Sequence, residues 1–397
     1  VTTNELIDFE LEEPDEIAEL EQQPPTDAQI EERYANSSFR VLYQSNNYFL
    51  PQIKDLIEGR EIINLRPEYQ RRLRWTTKQK SLLIESLLLN VPIPPIFLYE
   101  SDLARYEVMD GQQRLSTVNE YLSNDFALAG LENLKFLTGK RYNQLPPRLK
   151  RGLDRASISA IVLLHETQAE DRDPSLVRRY VFQRLNTGGK ALNPQEIRNS
   201  LYSGKFNDLI IQLTRLEQFC TAFGIPPYTE TNENEYYEDP ARKNNQIYRK
   251  MGDCQLVLRF FAFRDDAHIR GSVRSMLDGA MERHARPSDD DITALRQAFT
   301  HALATSVAVF GERVFTLPPD DKGIRRVSAA LYDAVMVALD RRAGKAAEYI
   351  HHAAAIRDGI DRLSIDNPGL LTGRANTAQS IKDRIAAVTD VFDQVAP

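Results

Sequence analysis

The chain has 397 residues, of which 42% are apolar and 27% charged, a composition that suits two or three soluble globular domains and excludes a fibrous or wholly disordered chain. It lacks both an apolar run of 18 residues and the basic, apolar, small-residue order of a secretory leader, so it reads as cytoplasmic with no membrane partner. The only cysteines, Cys220 and Cys254, are far apart and outside any CxxC pair, which excludes a disulfide framework or zinc knuckle and leaves two buried thiols.

The net charge of -7 is unevenly placed: residues 1–32 hold twelve Asp or Glu and no Lys or Arg, so the remainder is net basic. Residues 1–40 read as an acidic tail, disordered or weakly helical, that either solubilises the chain, covers a basic groove or docks a partner. From Tyr43 helix and strand alternate. LPQIKDLIEGRE predicts a short helix, IINLRPEYQ an extended strand and loop, and TTKQKSLLIESLLLN an amphipathic helix with Leu82, Leu83, Leu87 and Leu88 on one side. VPIPPIFLYES predicts a strand that prolines lead into, RYEVMD the next strand, and GQQRLSTVNEYL a helix. FALAG and ISAIVLLHE predict further strands, the second buried on both faces. PSLVRRYVFQRL predicts a helix stopped by NTGG, and NPQEIRNSLYSG another with Asn193 as N-cap and Pro194 in its first turn.

Beyond about residue 205 strand signals stop. CQLVLRFFAFRD, DITALRQAFTHALATSVAVF, RVSAALYDAVMVALDRR, AEYIHHAAAIRDGIDRL and SIKDRIAAVTDVFDQV all carry apolar residues at three- and four-residue spacing, which predicts a helical second domain.

Three stretches concentrate hydrogen-bonding capacity. In EVMDGQQRL, Asp110, Gly111, Gln112, Gln113 and Arg114 fall where a strand meets a helix, a place where backbone N–H groups and the helix dipole favour anions. Arg114 offers a forked donor to phosphate, and Asp110 suits Mg²⁺ or an oriented water; equally, Asp110 could cap the helix with Arg114 paired to it. RPEYQRRLRW gathers Gln70, Arg71 and the only tryptophan into a mixture suited to phosphates and bases. RLNTGGK sets Arg184, Asn186, Thr187 and Gly188 around a glycine pair that could cradle an oxyanion or serve only as a loop.

In this order PEYQR, PIPPIFLYE, DGQQRL, FQRLNTGG and QEIRNSLYSGKFN resemble the N-terminal domain of GmrSD-type restriction proteins, which modification-dependent bacterial antiphage systems also carry, over roughly residues 43–215. The resemblance implies an α+β fold: a ParB/sulfiredoxin-like nucleotide-binding domain at 41–215, followed by an all-helical domain at 216–397. It implies that the DGQQR motif binds and hydrolyses a nucleoside triphosphate with Mg²⁺. Asp110, Gln112, Gln113 and Arg114 would be catalytic and Asp110 the metal ligand. Gln70, Arg71, Gly111, Arg184, Asn186, Thr187 and Gly188 would bind the nucleotide, with Glu196 and Arg198 supporting them from behind. The implied partners are DNA, phage or modified, a separately encoded nuclease or effector, and further copies of the chain. The alternative is a non-catalytic ParB-like module that binds or senses DNA.

Many relatives continue into an HNH nuclease, but the six histidines do not fall into that pattern, nor is there a PD-(D/E)xK or a Walker motif. Arg296 and His301 have the spacing of a helical ribonuclease pair, which a solvated helix face explains as well; His351 and His352, being adjacent, point to different sides of a helix.

Overall fold

The structure is a computed structural model that describes residues 7–8, 26–27, 31, 42–65, 75–164, 181, 193–202, 204–227, 239–319, 323–373 and 376–395. Contact density divides the chain into two compact units, Glu19–Leu192 and Asn193–Pro397 with Val1–Ala18. That division falls ahead of residue 215, where the sequence reading ends its first domain. The protein is α+β, a mixed sheet followed by a mostly helical region.

Among the described residues the strands are β1 (Ile7–Asp8), β2 (Tyr43–Phe49), β3 (Ile63–Asn64), β4 (Ile96–Asp102), β5 (Arg105–Asp110), β6 (Ser157–Leu163) and β7 (Val327–Ser328). The first unit holds a five-stranded sheet in the order β2-β6-β4-β5-β3. β2 runs antiparallel to β6 and β4 to β5, whereas β4 and β6 are parallel, as are β3 and β5. Period-two alternation sends Ile96 and Leu98, Val108, and Ile158, Ala160 and Val162 into one core. There they meet α1 (Leu50–Lys54), α2 (Thr77–Leu88), α3 (Gln112–Leu122) and α4 (Pro147–Arg155) through Leu50, Ile53, Ile84, Leu115, Val118 and Leu153. Thr76 caps α2 and bonds reciprocally with Gln79, a capping box that the sequence reading did not pick out.

Two expectations fail here. FALAG is not a strand; Leu128 instead makes two backbone bonds, to Lys140 and from Gly139, which fix a loop rather than a ladder. The following N–H groups of Glu132, Asn133 and Leu134 are taken by the Glu85 carboxylate, so no partner strand is needed. Nor is β6 buried on both faces: Ser157 and Ser159 are exposed, because only from Ile161 onward is the second face also covered.

The second unit is built on α5 (Pro194–Leu201), α6 (Lys205–Leu213), α7 (Gly252–Phe263), α8 (Val273–Arg283), α9 (Asp289–Phe310), α10 (Ala329–Arg341), α11 (Ala353–Asp366) and α12 (Ala378–Val395). Every residue of α7 is buried, and it packs against α8 and α10 as the central helix of the unit. Phe219, Phe223, Phe260, Phe261, Phe299 and Tyr332 form a chain of tilted and edge-on aromatic contacts around it. The unit is not purely helical, since β7 pairs in parallel with β1. The helix expected through AEYIHHAAAIRDGIDRL breaks at His352, whose ψ of 21° leaves the helical range. Cys220 and Cys254 are buried free thiols.

Candidate nucleotide site

The DGQQR motif lies where β5 ends and α3 begins. Gly111 makes the junction: its φ of +96° is a left-handed conformation that other residues adopt only with strain. A Cβ there would also stand 2.4 Å from Ile96 Cγ2, so sheet and helix touch through the missing side chain. Glycine is fixed at this position twice over, by backbone and by space.

No side chain caps α3, and its first internal bond is the one Leu115 donates to Gly111, so the turn's leading N–H groups have no acceptor within the helix. Asp110 stands beside this positive helix end. One carboxylate oxygen accepts from Arg114 at 2.6 Å, and the side chain remains 44% exposed, which leaves the other oxygen in reach of solvent. Arg114 is more enclosed and holds three acceptors at once: Asp110, the Pro94 carbonyl, and the Pro95 carbonyl at 3.1 Å. Prolines supply no N–H to the sheet, and here their carbonyls are bound by a guanidinium instead. Arg114 thus fixes both the approach to β4 and the orientation of Asp110.

The two glutamines bind backbone groups at Leu65 and Trp75. Gln112 is buried and donates from Nε2 to the Leu65 carbonyl at 2.7 Å, while Gln113 Oε1 accepts from the Trp75 N–H at 3.1 Å. Leu65 and Trp75 flank RPEYQRRLR, so the glutamines fasten both ends of that segment to the start of α3. Gln113 Nε2 donates to nothing among the described residues. Sequence spacing did not show this role, because the contacts join residues 38 and 47 positions apart.

Next to Leu65 is a cavity of about 390 Å³ at the β3–β5 edge, lined in part by Glu61, Asn64, Arg105, Tyr106 and Glu107. Its carboxylates and amide suit hydroxyl or amino donors better than phosphates. Burial first, then the fields of Tyr48 and Glu100, hold the Tyr106 phenol above its usual range, so it stays a donor.

The remaining predicted residues fall elsewhere. Gln70, Arg71, Arg184, Asn186, Thr187 and Gly188 lie outside the described residues. Glu196 and Arg198 belong to the second unit. Asn193 caps α5, accepting from Gln195 and Glu196 N–H groups, and the Glu196 carboxylate accepts from the Asn193 N–H in return. Arg198 is 2% exposed, donates from Nε to Asp278 at 2.8 Å, and reaches Gln195 Oε1 and the Arg274 carbonyl. Arg296 bonds the Gln212 side chain, and His301 is exposed on α9. No group of three or more His, Cys, Asp or Glu side chains gathers at a metal-binding distance among the described residues. Among the described residues a cation at Asp110 would meet one protein carboxylate and take other ligands from phosphate and water, as Mg²⁺ commonly does. Among the described residues no helix is long and apolar enough to cross a membrane.

Residues 53–203 match the family model described as GmrSD restriction endonuclease, N-terminal domain. The match includes the DGQQR motif, Leu65 and Trp75 that its glutamines bind, and α5. No curated protein and no solved structure matches the chain.

Proposed function

We propose, from the match of residues 53–203 to the GmrSD restriction endonuclease N-terminal domain model, that this is a restriction-type defence protein whose DGQQR junction binds and hydrolyses a nucleoside triphosphate. In this reading nucleotide turnover is coupled to recognition of invading DNA and to control of a separately encoded nuclease or effector.

The observation that carries the proposal is the pairing of an uncapped α3 N-terminus with a half-exposed carboxylate held in one orientation. The N–H groups would receive phosphate oxygens, and the absent Gly111 side chain would let the phosphates approach the backbone. Phosphoryl transfer depends on charge neutralisation and positioning more than on covalent chemistry from the protein. Mg²⁺ held by Asp110 would supply that neutralisation. Arg114 would act through Asp110, keeping the carboxylate aimed while its own donors stay on the proline carbonyls. Gln113 would present Nε2 to a phosphate oxygen or to the attacking water while Oε1 keeps Trp75 in place. Gln70, Arg71, Arg184, Asn186, Thr187 and Gly188 would close the site over the nucleotide.

The test is phosphate release from ATP, GTP, CTP and UTP with Mg²⁺. Asp110→Asn keeps an acceptor for Arg114 and removes the charge, so turnover should fall on the order of 10²-fold or more while the emission of Trp75, the one tryptophan, still reports a folded unit. Absence of wild-type turnover with all four nucleotides, with and without DNA, would sink the hydrolysis reading. One observation favours a second reading, a non-catalytic DNA-binding or sensing module: Arg114 spends its guanidinium on Asp110 and the carbonyls of Pro94 and Pro95, and Gln112 donates to the Leu65 carbonyl, as in a purely structural junction.

A further inference from the structure

From the exposed face of α4 we infer a docking surface for the DNA phosphodiester backbone, separate from the DGQQR junction. It rests on the proposal that DNA is a partner, and it says where the DNA lies.

The segment from Lys135 to Arg155 carries seven Lys or Arg against the single acid Asp154, in a chain whose overall charge is negative. On α4, Leu149 and Leu153 turn inward, Leu153 being fully buried in the core of the first unit. At 100° per residue, Arg148, Arg151 and Arg155 fall within about 60° of one another on the opposite side, and all three are exposed. Their Cα atoms span roughly 10 Å along the helix, comparable with three nucleotide steps of one strand at about 3.4 Å each.

None of the three arginines makes a hydrogen bond or ion pair among the described residues, whereas their neighbours on the flank are occupied. Lys150 donates to the Asn143 carbonyl, and Asp154 accepts from the Tyr142 hydroxyl. A solvated helix face ordinarily mixes signs at three- and four-residue spacing; this one presents a single sign. Helix stability accounts for Arg155, in the last turn, but not for Arg148. Arg148 sits in the first turn, where a positive charge opposes the macrodipole, and no side chain caps that end.

Gly152 supplies an independent observation. It lies inside α4, exposed, between Arg148 and Arg155 along the axis and about 40° past Arg148 around it, where a glycine weakens the helix relative to alanine. No atom within 4 Å would meet a Cβ placed there, and its φ is not positive, so neither packing nor backbone geometry requires glycine. A phosphodiester backbone lying along the arginines would pass beside this position, where the missing side chain lets it approach the helix closely. Pro146 and Pro147 then present the helix stiffly from its first turn.

The experiment is equilibrium binding of the full chain to a short random-sequence duplex over a range of salt, with Arg148→Gln/Arg151→Gln/Arg155→Gln and Gly152→Ala as separate variants. Each arginine that meets a phosphate contributes about 0.9 to the slope of log K against log salt, so the triple variant should lose roughly 2 to 3 from that slope. DNA-free phosphate release should stay as in the wild type. Gly152→Ala should raise the melting temperature while weakening binding several-fold. Wild-type binding with an unchanged slope in the triple variant, or full-strength binding by Gly152→Ala, would overturn the α4 surface and leave DNA as a partner. No wild-type binding to duplex, or tighter binding to a single-stranded RNA of equal length, would overturn both the surface and the DNA reading. Nucleotide turnover stands or falls by its own assay.

Discussion

Glu85 lies on α2, is only 4% exposed, and spends its carboxylate on a loop. Oε1 accepts from the N–H groups of Leu134 at 2.6 Å and Asn133 at 2.8 Å, and Oε2 from Glu132 at 3.2 Å. The arrangement is an anion site filled by the protein's own side chain. Hydrogen bonds to an ionised group contribute about 1.5–3 kcal/mol each, and three on one carboxylate are not additive, so Glu85→Ala should cost about 3–5 kcal/mol. Glu85→Gln should cost nearly as much, since its amide turns a donor toward one of the three N–H groups. Burial works to raise the Glu85 pKa, but the bonds from Leu134, Asn133 and Glu132 outweigh it, and the carboxyl titrates below its ordinary value. With the folded pKa depressed, this contribution is fully present above the unfolded value of about 4.3 and is lost as pH falls through the folded one. Urea unfolding followed by Trp75 emission measures it, because Trp75 packs against the core that α2 helps to build. The difference between wild type and Glu85→Ala should be constant near neutrality and shrink below about pH 4. A difference under about 1 kcal/mol at pH 7, or one unchanged down to pH 3, would refute the account.

Other perturbations separate local from long-range effects. Gly111→Ala meets both a positive φ and Ile96, and should destabilise the first unit by about 2–4 kcal/mol in the same assay. Gln112→Ala with Gln113→Ala releases the carbonyl of Leu65 and the N–H of Trp75, so limited proteolysis should cut between those residues faster than in the wild type. In the second unit Arg259 forms a two-pronged pair with the fully buried Asp333. Arg259→Met should cost about 3–5 kcal/mol by stranding that carboxylate, and adding Asp333→Leu should recover most of the loss in calorimetric unfolding.

Much of the architecture is written locally. The prolines before Ile96, the alternation through β6, the capping at Thr76 and Asn193, and the three- and four-residue apolar spacing of α7, α9 and α12 each involve residues within a turn or two of one another. The DGQQR motif was legible in the same way, as a polar cluster at a strand-to-helix junction. Its partners were not: Arg114 reaches back to Pro94 and Pro95, and the glutamines reach Leu65 and Trp75. FALAG looked like a strand because its composition is that of one, and it fails because Glu85, more than forty positions away in the chain, satisfies the backbone that follows it. Arg198 could be read as support for a nucleotide, yet its Nε is taken by Asp278, 80 residues on. Periodicity and capping depend on backbone geometry that neighbours share, so the sequence by itself determined most of the described elements and their order. Which donor meets which acceptor depends on segments that become adjacent only when the core closes, and that choice belongs to the tertiary structure.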